Sequence, residues 1–269
     1  MALRSALINV MVSAAFRAAR GLNRDFGEVE NLQVSRKGPA DFVSTADLKA
    51  EKILFEQLSR ARPEFGFLME ERGSKPSTGD TQGRWIVDPL DGTTNFLHGL
   101  PHFAISIAAE ERGQLVAGII YDPIRNEMFW ADKGRGAYLN DQRLRVAARH
   151  SLDVALLATG IPFKGRGGQQ IFEAELSHFM GQVAGIRRFG SAALDLAYVA
   201  AGRFDGFWER NLAPWDIAAG VLMVQEAGGF VTDVGGGPID ISSGRVLAAN
   251  GRMHARMLRL LKEAEKSLG

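Results

Sequence analysis

The segment WIVDPLDGTTNF occupies residues 85–96 and combines two local patterns. Its first half is a short apolar run that ends on Asp88, which is typical of a buried strand. Its second half contains Thr-Thr-Asn at 93–95, which predicts the start of a helix. Asp88 and the nearby Asp91 are therefore expected at the end of a strand, beside the backbone N–H groups of a new helix.

Two kinds of ligand suit this arrangement. Carboxylate and carbonyl oxygens are the ligands that hard cations such as Mg²⁺ prefer. Pro89 lies between the two acids and favours a rigid turn, which would aim both carboxylates and the Leu90 carbonyl at one point. A helix N-terminus binds phosphate through its N–H groups and its dipole. One short segment therefore offers both elements of a phosphoryl-transfer site.

The composition is that of an ordinary globular protein. The chain has 269 residues, of which 46% are apolar and 23% are charged. This is enough apolar material for a sizeable core, and the length fits one α/β domain or two packed halves. The formal net charge of +1 gives no argument for binding to nucleic acid or to a membrane surface.

Two further features bear on the cellular location. The chain contains no cysteine, which excludes disulfides, thiol catalysis and Cys-ligated zinc and permits a reducing compartment. The first 24 residues contain four arginines and no acid, but their apolar residues follow a helical period. We therefore expect a packed amphipathic helix at about 2–20 rather than a targeting peptide. The segment is too short and too interrupted to span a bilayer, so a cytoplasmic protein is predicted.

Periodicity and turn residues predict alternating helices and strands along the chain. Further helices are expected at 44–62, 169–180, 191–201, 215–227 and 252–267. Strands are expected at 65–69, then as an antiparallel series at 102–110, 115–121 and 127–131, and later at 155–158, 185–189, 206–209, 230–233 and 246–249. A polar loop is expected at 72–83. The pattern predicts a layered α/β protein with at least two sheets, forming one domain (1–269) with a soft division near residue 150.

Acidic residues occur in a similar context at three other places. Glu70 ends a predicted strand, Asp47 begins a helix, and Asp216 begins another helix between a Trp and an Ile. Taken singly, each of these residues is equally typical of a turn or a helix cap. Together with the Asp-x-x-Asp spacing at 88–91, they would supply enough oxygen ligands for a pair of Mg²⁺ ions.

Four motifs resemble the signature sequences of the inositol monophosphatase family. They are EE at 70–71, WIVDPLDGTTNF at 85–96, GSAALDLAYVAAG at 190–202 and WDIAAG at 215–220, and the third is especially similar to bacterial members. The similarity runs from about Val34 to Asn250. It implies an αβαβα sandwich of the inositol monophosphatase / fructose-1,6-bisphosphatase type, Mg²⁺ dependence, lithium sensitivity and a homodimer.

The resemblance also implies roles for individual residues. The ligands of two Mg²⁺ ions, with a third held loosely, would be Glu70, Asp88, the Leu90 carbonyl, Asp91 and Asp216. Asp47 and Thr93 would form a hydrogen-bonded pair that orients the attacking water. The residues that take part directly in catalysis would be Asp47, Glu70, Asp91 and Thr93. Phosphate would be held by the backbone at Gly92, Thr93 and Thr94, and a metal-activated water would attack phosphorus in line, without a phosphoenzyme.

Substrate recognition is expected to involve further residues. The resemblance places Glu209 on the substrate hydroxyls, Arg187 in contact with the substrate and Ala192 at the pocket wall, beside Asp91 and Asp216. Each of the first three also has a simpler interpretation. Glu209 is a solvated acid at a strand end, Arg187 is a surface or interface ion pair, and Ala192 is ordinary helix packing.

The sequence leaves the substrate open. Our first hypothesis is a phosphomonoesterase for myo-inositol monophosphate or a related sugar phosphate. Fructose 1,6-bisphosphate, histidinol phosphate and a nucleotide 3′-phosphate are the alternatives within the enzyme class, although no clear set of basic residues for a second phosphate is present. A different kind of function is a protein partner in transcription antitermination complexes, as in some bacterial relatives. The near-neutral charge gives no signal for direct nucleic acid binding.

Overall fold

The computed structural model describes residues 3–26, 28, 34–38, 41–78, 82–163, 165 and 167–269. Its helices are α1 (Ala6–Phe26), α2 (Thr45–Ala61), α3 (Thr93–Leu97), α4 (Gln169–Phe179), α5 (Ala192–Ala200), α6 (Pro214–Glu226) and α7 (Gly251–Lys266). Its strands are β1 (Val34–Gly38), β2 (Asp41–Ser44), β3 (Gly66–Met69), β4 (Gly73–Lys75), β5 (Gly83–Asp91), β6 (Ala104–Glu111), β7 (Gln114–Asp122), β8 (Glu127–Asp132), β9 (Gly136–Leu139), β10 (Gln142–Arg143), β11 (Leu156–Thr159), β12 (Gly185–Arg187), β13 (Gly206–Glu209), β14 (Phe230–Thr232) and β15 (Val246–Ala249).

Two sheets form the framework of the described structure, beside a β1–β2 hairpin. The larger sheet has eight strands in the order β10-β9-β8-β7-β6-β5-β3-β4, and the smaller has five in the order β12-β11-β13-β15-β14. In the larger sheet β5 pairs in parallel with β3 and antiparallel with β6. In the smaller sheet β11 lies in parallel between β12 and β13.

Helices separate and cover the two sheets. Helices α1 and α2 pack on one face of the eight-stranded sheet, and α5 and α6 fill the space between the sheets. Helices α4 and α7 cover the outer face of the five-stranded sheet. This order of layers confirms the predicted αβαβα sandwich. Among the described residues, we find no helix with the length and hydropathy that a bilayer crossing requires.

The layering explains why the central apolar run does not alternate with polar residues. Successive side chains of a strand point to opposite faces of the sheet. On β5, Trp85 and Val87 pack among the residues under α1 and α2, whereas Ile86 packs toward α5 and α6. Both faces of β5 are therefore buried, and each large apolar side chain contributes about 1.5–3 kcal/mol through its burial.

Most predicted elements occur within two residues of their expected ends, but α1 was predicted wrongly. It runs from Ala6 to Phe26, so that Gly21 lies inside the helix instead of ending it. Its buried face continues through Leu22 and Asp25. Packing of that face offsets the roughly 1 kcal/mol that a glycine costs inside a helix. The loop predicted at 72–83 was also partly wrong, since β4 pairs there with β3 at the sheet edge; residues 79–81 lie outside the described part.

His102 lies just before β6, between the aromatic rings of Phe189 and Tyr198, with centroid distances of 5.0 and 6.1 Å. Its buried Nε2 has no hydrogen-bond partner. Burial, and then the Arg125 guanidinium, lower the pKa of His102 to about 4, against an opposing effect of Asp122. A protonated ring is therefore poorly accommodated at this position.

We expect His102 to make the folded state sensitive to acid. The folded pKa of His102 lies below the unfolded value of about 6.5. Its contribution to the free energy of unfolding is therefore complete above that pH and declines as the pH falls toward 4. His102→Gln should remove part of this decline, by up to about 2 kcal/mol after allowance for partial exposure. Denaturant unfolding between pH 4.5 and 7.5 measures it, with the exposed His98→Gln as control. Identical pH dependence in wild type and His102→Gln would contradict the prediction.

Candidate active site

A cleft of about 160 Å³ lies where β5, α3, α5 and α6 meet. Four carboxylates from distant parts of the sequence line it: Glu70, Asp88, Asp91 and Asp216. The fold therefore brings the predicted metal ligands together in one place. Glu209, at the end of β13, lies on the wall of the same cleft.

The end of β5 forms the floor of the cleft. Its pairing with β6 is regular up to Asp88, then irregular until Asp91, so the intervening Pro-Leu pair leaves the ladder. Asp88 Oδ1 accepts a hydrogen bond of 2.9 Å from the Leu90 N–H, which closes a tight turn. Gly92 follows with a φ of 98°, and a Cβ atom there would lie 3.1 Å from the His102 carbonyl oxygen. A glycine is thus required where the strand turns into α3.

Asp91 is tied to the start of α5. Its Oδ2 accepts hydrogen bonds from Ser191 Oγ at 2.5 Å and from the Ala193 N–H at 2.8 Å. Ser191 is also the N-cap of α5, accepting from the Leu194 N–H. The positive end of a helix dipole stabilises a carboxylate. Helix α5 therefore fixes the Asp91 side chain and partly offsets the cost of burying its negative charge.

Asp216 lies in the first turn of α6. Its Oδ2 accepts a 2.8 Å hydrogen bond from the Ala213 N–H, and Pro214 occupies the start of the helix, where a missing N–H costs nothing. The preceding carbonyl, of Trp215, accepts from Ser106 Oγ on β6 at 3.2 Å. This contact joins α6 to the larger sheet and places Asp216 opposite the end of β5.

The carboxylates of the cleft disfavour one another's ionisation. Burial raises the pKa of Asp88 well above its usual range, and the negative charges of Glu70, Asp91 and Asp216 raise it further. Burial also raises the pKa of Asp91 to about 6, although its hydrogen bonds to Ser191 and Ala193 act in the opposite direction. An added positive charge would therefore be favourable here.

The donor set fits a hard divalent cation. Its ligands are oxygen only and negatively charged, which is the chemistry of Mg²⁺ sites rather than of zinc sites. Within the described part of the chain, however, no three acidic or histidine side chains stand at the spacing of an assembled metal centre. The four carboxylates nevertheless share the cleft and interact electrostatically.

The predicted pair of Asp47 and Thr93 is formed. Thr93 Oγ1 lies 3.0 Å from Asp47 Oδ1 and 3.1 Å from the Leu90 carbonyl oxygen, so its single proton can be donated to either. Asp47 is fully buried on the first turn of α2. When the hydroxyl donates to Asp47, its lone pairs remain able to accept a hydrogen bond from a water molecule in the cleft.

The arginine nearest the cleft differs from the one singled out in the sequence. Arg187 is exposed, and its Nη1 donates to the Ile186 carbonyl of its own strand at 3.2 Å. Arg188 lines the cleft instead, as does the buried Asp195 of α5. Sequence reasoning missed both, although Asp195 follows the helix-capping Ser191 by four residues and must share its helix face. Ala192 lies at the cleft wall as expected.

A second omission is Gly160, which follows β11. A Cβ atom at this position would lie 1.8 Å from Glu209 Oε1. Strands β11 and β13 are neighbours, and Thr159 Oγ1 donates to the Trp208 carbonyl at 2.8 Å. Glycine therefore leaves the space that the Glu209 carboxylate occupies at the cleft.

The model of the inositol monophosphatase family matches residues 3–266. This chain belongs to that family. It is 62% identical over 230 residues to a protein named inositol-1-monophosphatase from Rhizobium meliloti (strain 1021), with 86% of each chain covered. It is 44% identical to the Nus factor SuhB of Escherichia coli (strain K12) over 227 residues, 84% of this chain and 85% of that protein.

Solved structures agree with this family assignment. The crystal structure of extragenic suppressor protein suhB from Bartonella henselae is 58% identical, with a TM-score of 0.93 over 96% of this chain and 99% of that chain. The resemblance noted in the four sequence motifs is therefore confirmed at the level of the inositol monophosphatase family.

Proposed function

We propose that this inositol monophosphatase family member is a Mg²⁺-dependent phosphomonoesterase that hydrolyses myo-inositol monophosphate or a related sugar phosphate. The observation that supports it most is the meeting of four carboxylates, three helix starts and the Asp47–Thr93 pair at one cleft. The 62% identity to a protein named inositol-1-monophosphatase supports the same substrate.

Glu70, Asp88, Asp91, Asp216 and the Leu90 carbonyl would hold two ions, with a third more loosely bound. When bound, Mg²⁺ supplies positive charge that acidifies a water and offsets the charge on the phosphoryl oxygens. Groups of the chain itself bind the phosphate and transfer the proton. The N–H groups at 92–94 bind phosphate oxygens and fix their orientation. Thr93 Oγ1 accepts a proton from the attacking water as its own proton passes to the buried Asp47 carboxylate.

The displacement is in line at phosphorus. The bond from the water oxygen to phosphorus forms as the bond to the leaving alkoxide breaks, and the alkoxide takes a proton from a water held at Asp216. The leaving group lies on the side of the cleft formed by Ala192, Arg188 and Glu209. Carboxylate oxygens such as those of Glu209 accept hydrogen bonds from ring hydroxyls.

The same side of the cleft favours a substrate with one phosphate. Arg188 is opposed there by Glu209, and burial, followed by the negative charge of Glu209, raises the pKa of Asp195 well above its usual range. A second phosphate would meet the negative charge of Glu209. The arrangement therefore argues against fructose 1,6-bisphosphate, whereas a polyol can donate its hydroxyls to both acids.

A phosphate-release assay over a panel of esters tests the proposal. We expect the highest kcat/KM with inositol 1-phosphate, lower values with histidinol phosphate, fructose 1,6-bisphosphate and a nucleotide 3′-phosphate, dependence on added Mg²⁺, and inhibition by Li⁺. A clearly higher kcat/KM with one of the other esters would identify that ester, instead of inositol 1-phosphate, as the substrate. Undiminished release in the presence of a chelator would contradict the metal requirement.

A second function has support from the similarity to proteins named Nus factor SuhB, at 44% identity. This chain would then also act as a protein partner in a transcription complex. An Asp91→Asn variant that still binds RNA polymerase would separate this role from catalysis, and the loss of any stable association would count against it. A homodimer, a single catalytic domain over 1–269 and a cytoplasmic location remain proposals that accompany this function.

Gly160→Ala should impair substrate binding specifically. The added methyl group overlaps the observed position of the Glu209 carboxylate and must displace it. We expect KM for inositol 1-phosphate to rise about tenfold, the loss of roughly one charge-assisted hydrogen bond, with the Mg²⁺ requirement unchanged. Gly167→Ala is the control, because nothing lies within 4 Å of a Cβ atom there. An equal KM in both variants would contradict the role of Glu209.

A further inference from the structure

The carboxylate of Glu51 lies outside the cleft and has no part in the chemistry described above. Glu51 belongs to α2 and is completely buried. Its Oε2 accepts a 2.8 Å hydrogen bond from the Glu71 N–H, and its Oε1 lies 3.3 Å from Arg72 Nε. Both partners belong to the turn at 70–72 that connects β3 with β4. The buried Glu51 carboxylate therefore binds the turn that contains Glu70.

This bond determines the backbone at Glu70. A peptide group is planar, so fixing the Glu71 N–H fixes the plane between Glu70 and Glu71. The preceding plane is fixed by the hydrogen bond from the Glu70 N–H to the Val87 carbonyl, which is 3.3 Å long. With both flanking planes held, the direction of the Glu70 Cα–Cβ bond is set by Glu51 on one side and by β5 on the other.

The turn lies at the sheet edge, where β3 pairs with β4, and the Arg72 guanidinium lies over the ring of Phe55 on α2. Arg72 is exposed, and β4 is a three-residue strand at the edge of the sheet. Glu51, by contrast, belongs to a helix that packs against β5 and α1. It lies four residues after Asp47, so both side chains project from the same face of α2. One rigid helix therefore contacts Thr93 through Asp47 and the Glu70 turn through Glu51.

We infer that Glu51 is a positioning residue: it orients the 70–72 turn so that Glu70 faces Asp88 and Asp91 across the cleft. This deepens the proposed function and rests on it for the identity of the cation. Glu70 lines the same cleft as Asp88 and Asp91, which agrees with this orientation of the turn. Loss of the hydrogen bond from Glu71 would let the turn move and would weaken binding of a divalent cation.

Mg²⁺ binding without substrate, measured by isothermal titration calorimetry on the full chain, tests this inference, together with the Mg²⁺ dependence of phosphate release. Glu51→Asp keeps the charge but withdraws the acceptor from the Glu71 N–H. We expect it to weaken Mg²⁺ binding about tenfold or more, as for other residues that orient metal ligands. The rate at saturating Mg²⁺ should fall much less. Glu51→Gln retains an acceptor oxygen and should stay within about threefold of wild type.

One further variant separates the hydrogen bond from the ion pair. Arg72→Ala removes the exposed partner only and should resemble Glu51→Gln, while Glu56→Ala, an exposed acid on the same helix, is the control. Wild-type Mg²⁺ affinity in Glu51→Asp, or equal weakening in Glu51→Gln and Glu51→Asp, would overturn the inference. A wild-type protein that binds Mg²⁺ but releases no phosphate would instead overturn the proposed function, and the calorimetric comparison would still stand.

Discussion

Asp91→Asn is expected to lower kcat for phosphate release by about a thousandfold or more, which corresponds to about 4 kcal/mol of transition-state stabilisation. Asp91 is the last residue of β5 and accepts hydrogen bonds from the start of α5. It lines the cleft together with the other acids and the phosphate-binding turn. Asparagine keeps the shape but removes the charge and presents an NH₂ group toward the cleft. The loss should appear in kcat at every Mg²⁺ concentration.

The same substitution should leave the fold intact. The hydrogen bonds from Ser191 Oγ and the Ala193 N–H both end on Asp91 Oδ2, so an asparagine oxygen can accept them in the same orientation. The folded pKa of Asp91, about 6, lies above the unfolded value of 3.8, so its contribution to stability is present at low pH and is lost as the pH rises through 6. Above that pH the ionised carboxylate disfavours the folded state, and asparagine avoids this cost.

Thermal unfolding of the metal-free protein measures this effect. At pH 7.5 the Tm of Asp91→Asn should equal or exceed that of wild type, and the difference should shrink as the pH falls toward 4. Added Mg²⁺ should raise the Tm of wild type, because a ligand that binds only the folded state stabilises it, and should raise that of the variant much less. A variant that remains fully active through a Mg²⁺ titration would refute the assignment of Asp91 to the metal site.

The sequence predicted the acidic half of the cleft because the determinants there are local. Asp88 and Asp91 follow a buried strand, Asp47 and Asp216 begin helices, and these contexts are visible in the order of residue types. The αβαβα layering followed from a resemblance in the motifs rather than from periodicity, which does not specify strand order. Periodicity predicted most elements to within two residues but not the internal Gly21, since tertiary packing decides whether a helix passes a glycine.

The features that sequence reasoning missed depend on contacts between distant residues. Gly160 matters only because β11 lies beside β13, which brings it against a carboxylate 49 positions later. Glu51 matters only because α2 packs near the turn at 70–72. Arg187 and Arg188 are adjacent at the end of β12, and the alternation of side chains along the chain determines that Arg188 lines the cleft. Neither spacing nor composition contains this information.

Thr93→Val should lower kcat by about a hundredfold to ten-thousandfold, the usual contribution of a positioned general base. Valine keeps the branched shape of threonine at the start of α3, so the turn after Gly92 should persist. It removes the hydroxyl that lies 3.0 Å from Asp47 Oδ1 and 3.1 Å from the Leu90 carbonyl. Since neither a phosphate N–H donor nor a carboxylate is lost, Mg²⁺ affinity and KM should change little. Thr93→Ser should recover most of the activity because it restores the hydroxyl.

A double-mutant cycle distinguishes a shared function from two separate ones. If Thr93 acts as a base only through Asp47, Asp47→Asn alone should be nearly as damaging as Thr93→Val, and combining them should add little. Additive losses would mean that Asp47 contributes independently, for example by holding α2 in place. The pH–rate profile gives a second readout: the acidic limb that reports the base should be absent from Thr93→Val and present in Thr93→Ser. Wild-type kcat in Thr93→Val would show that the water is deprotonated without this pair, and the assignment of the base would move to another carboxylate of the cleft.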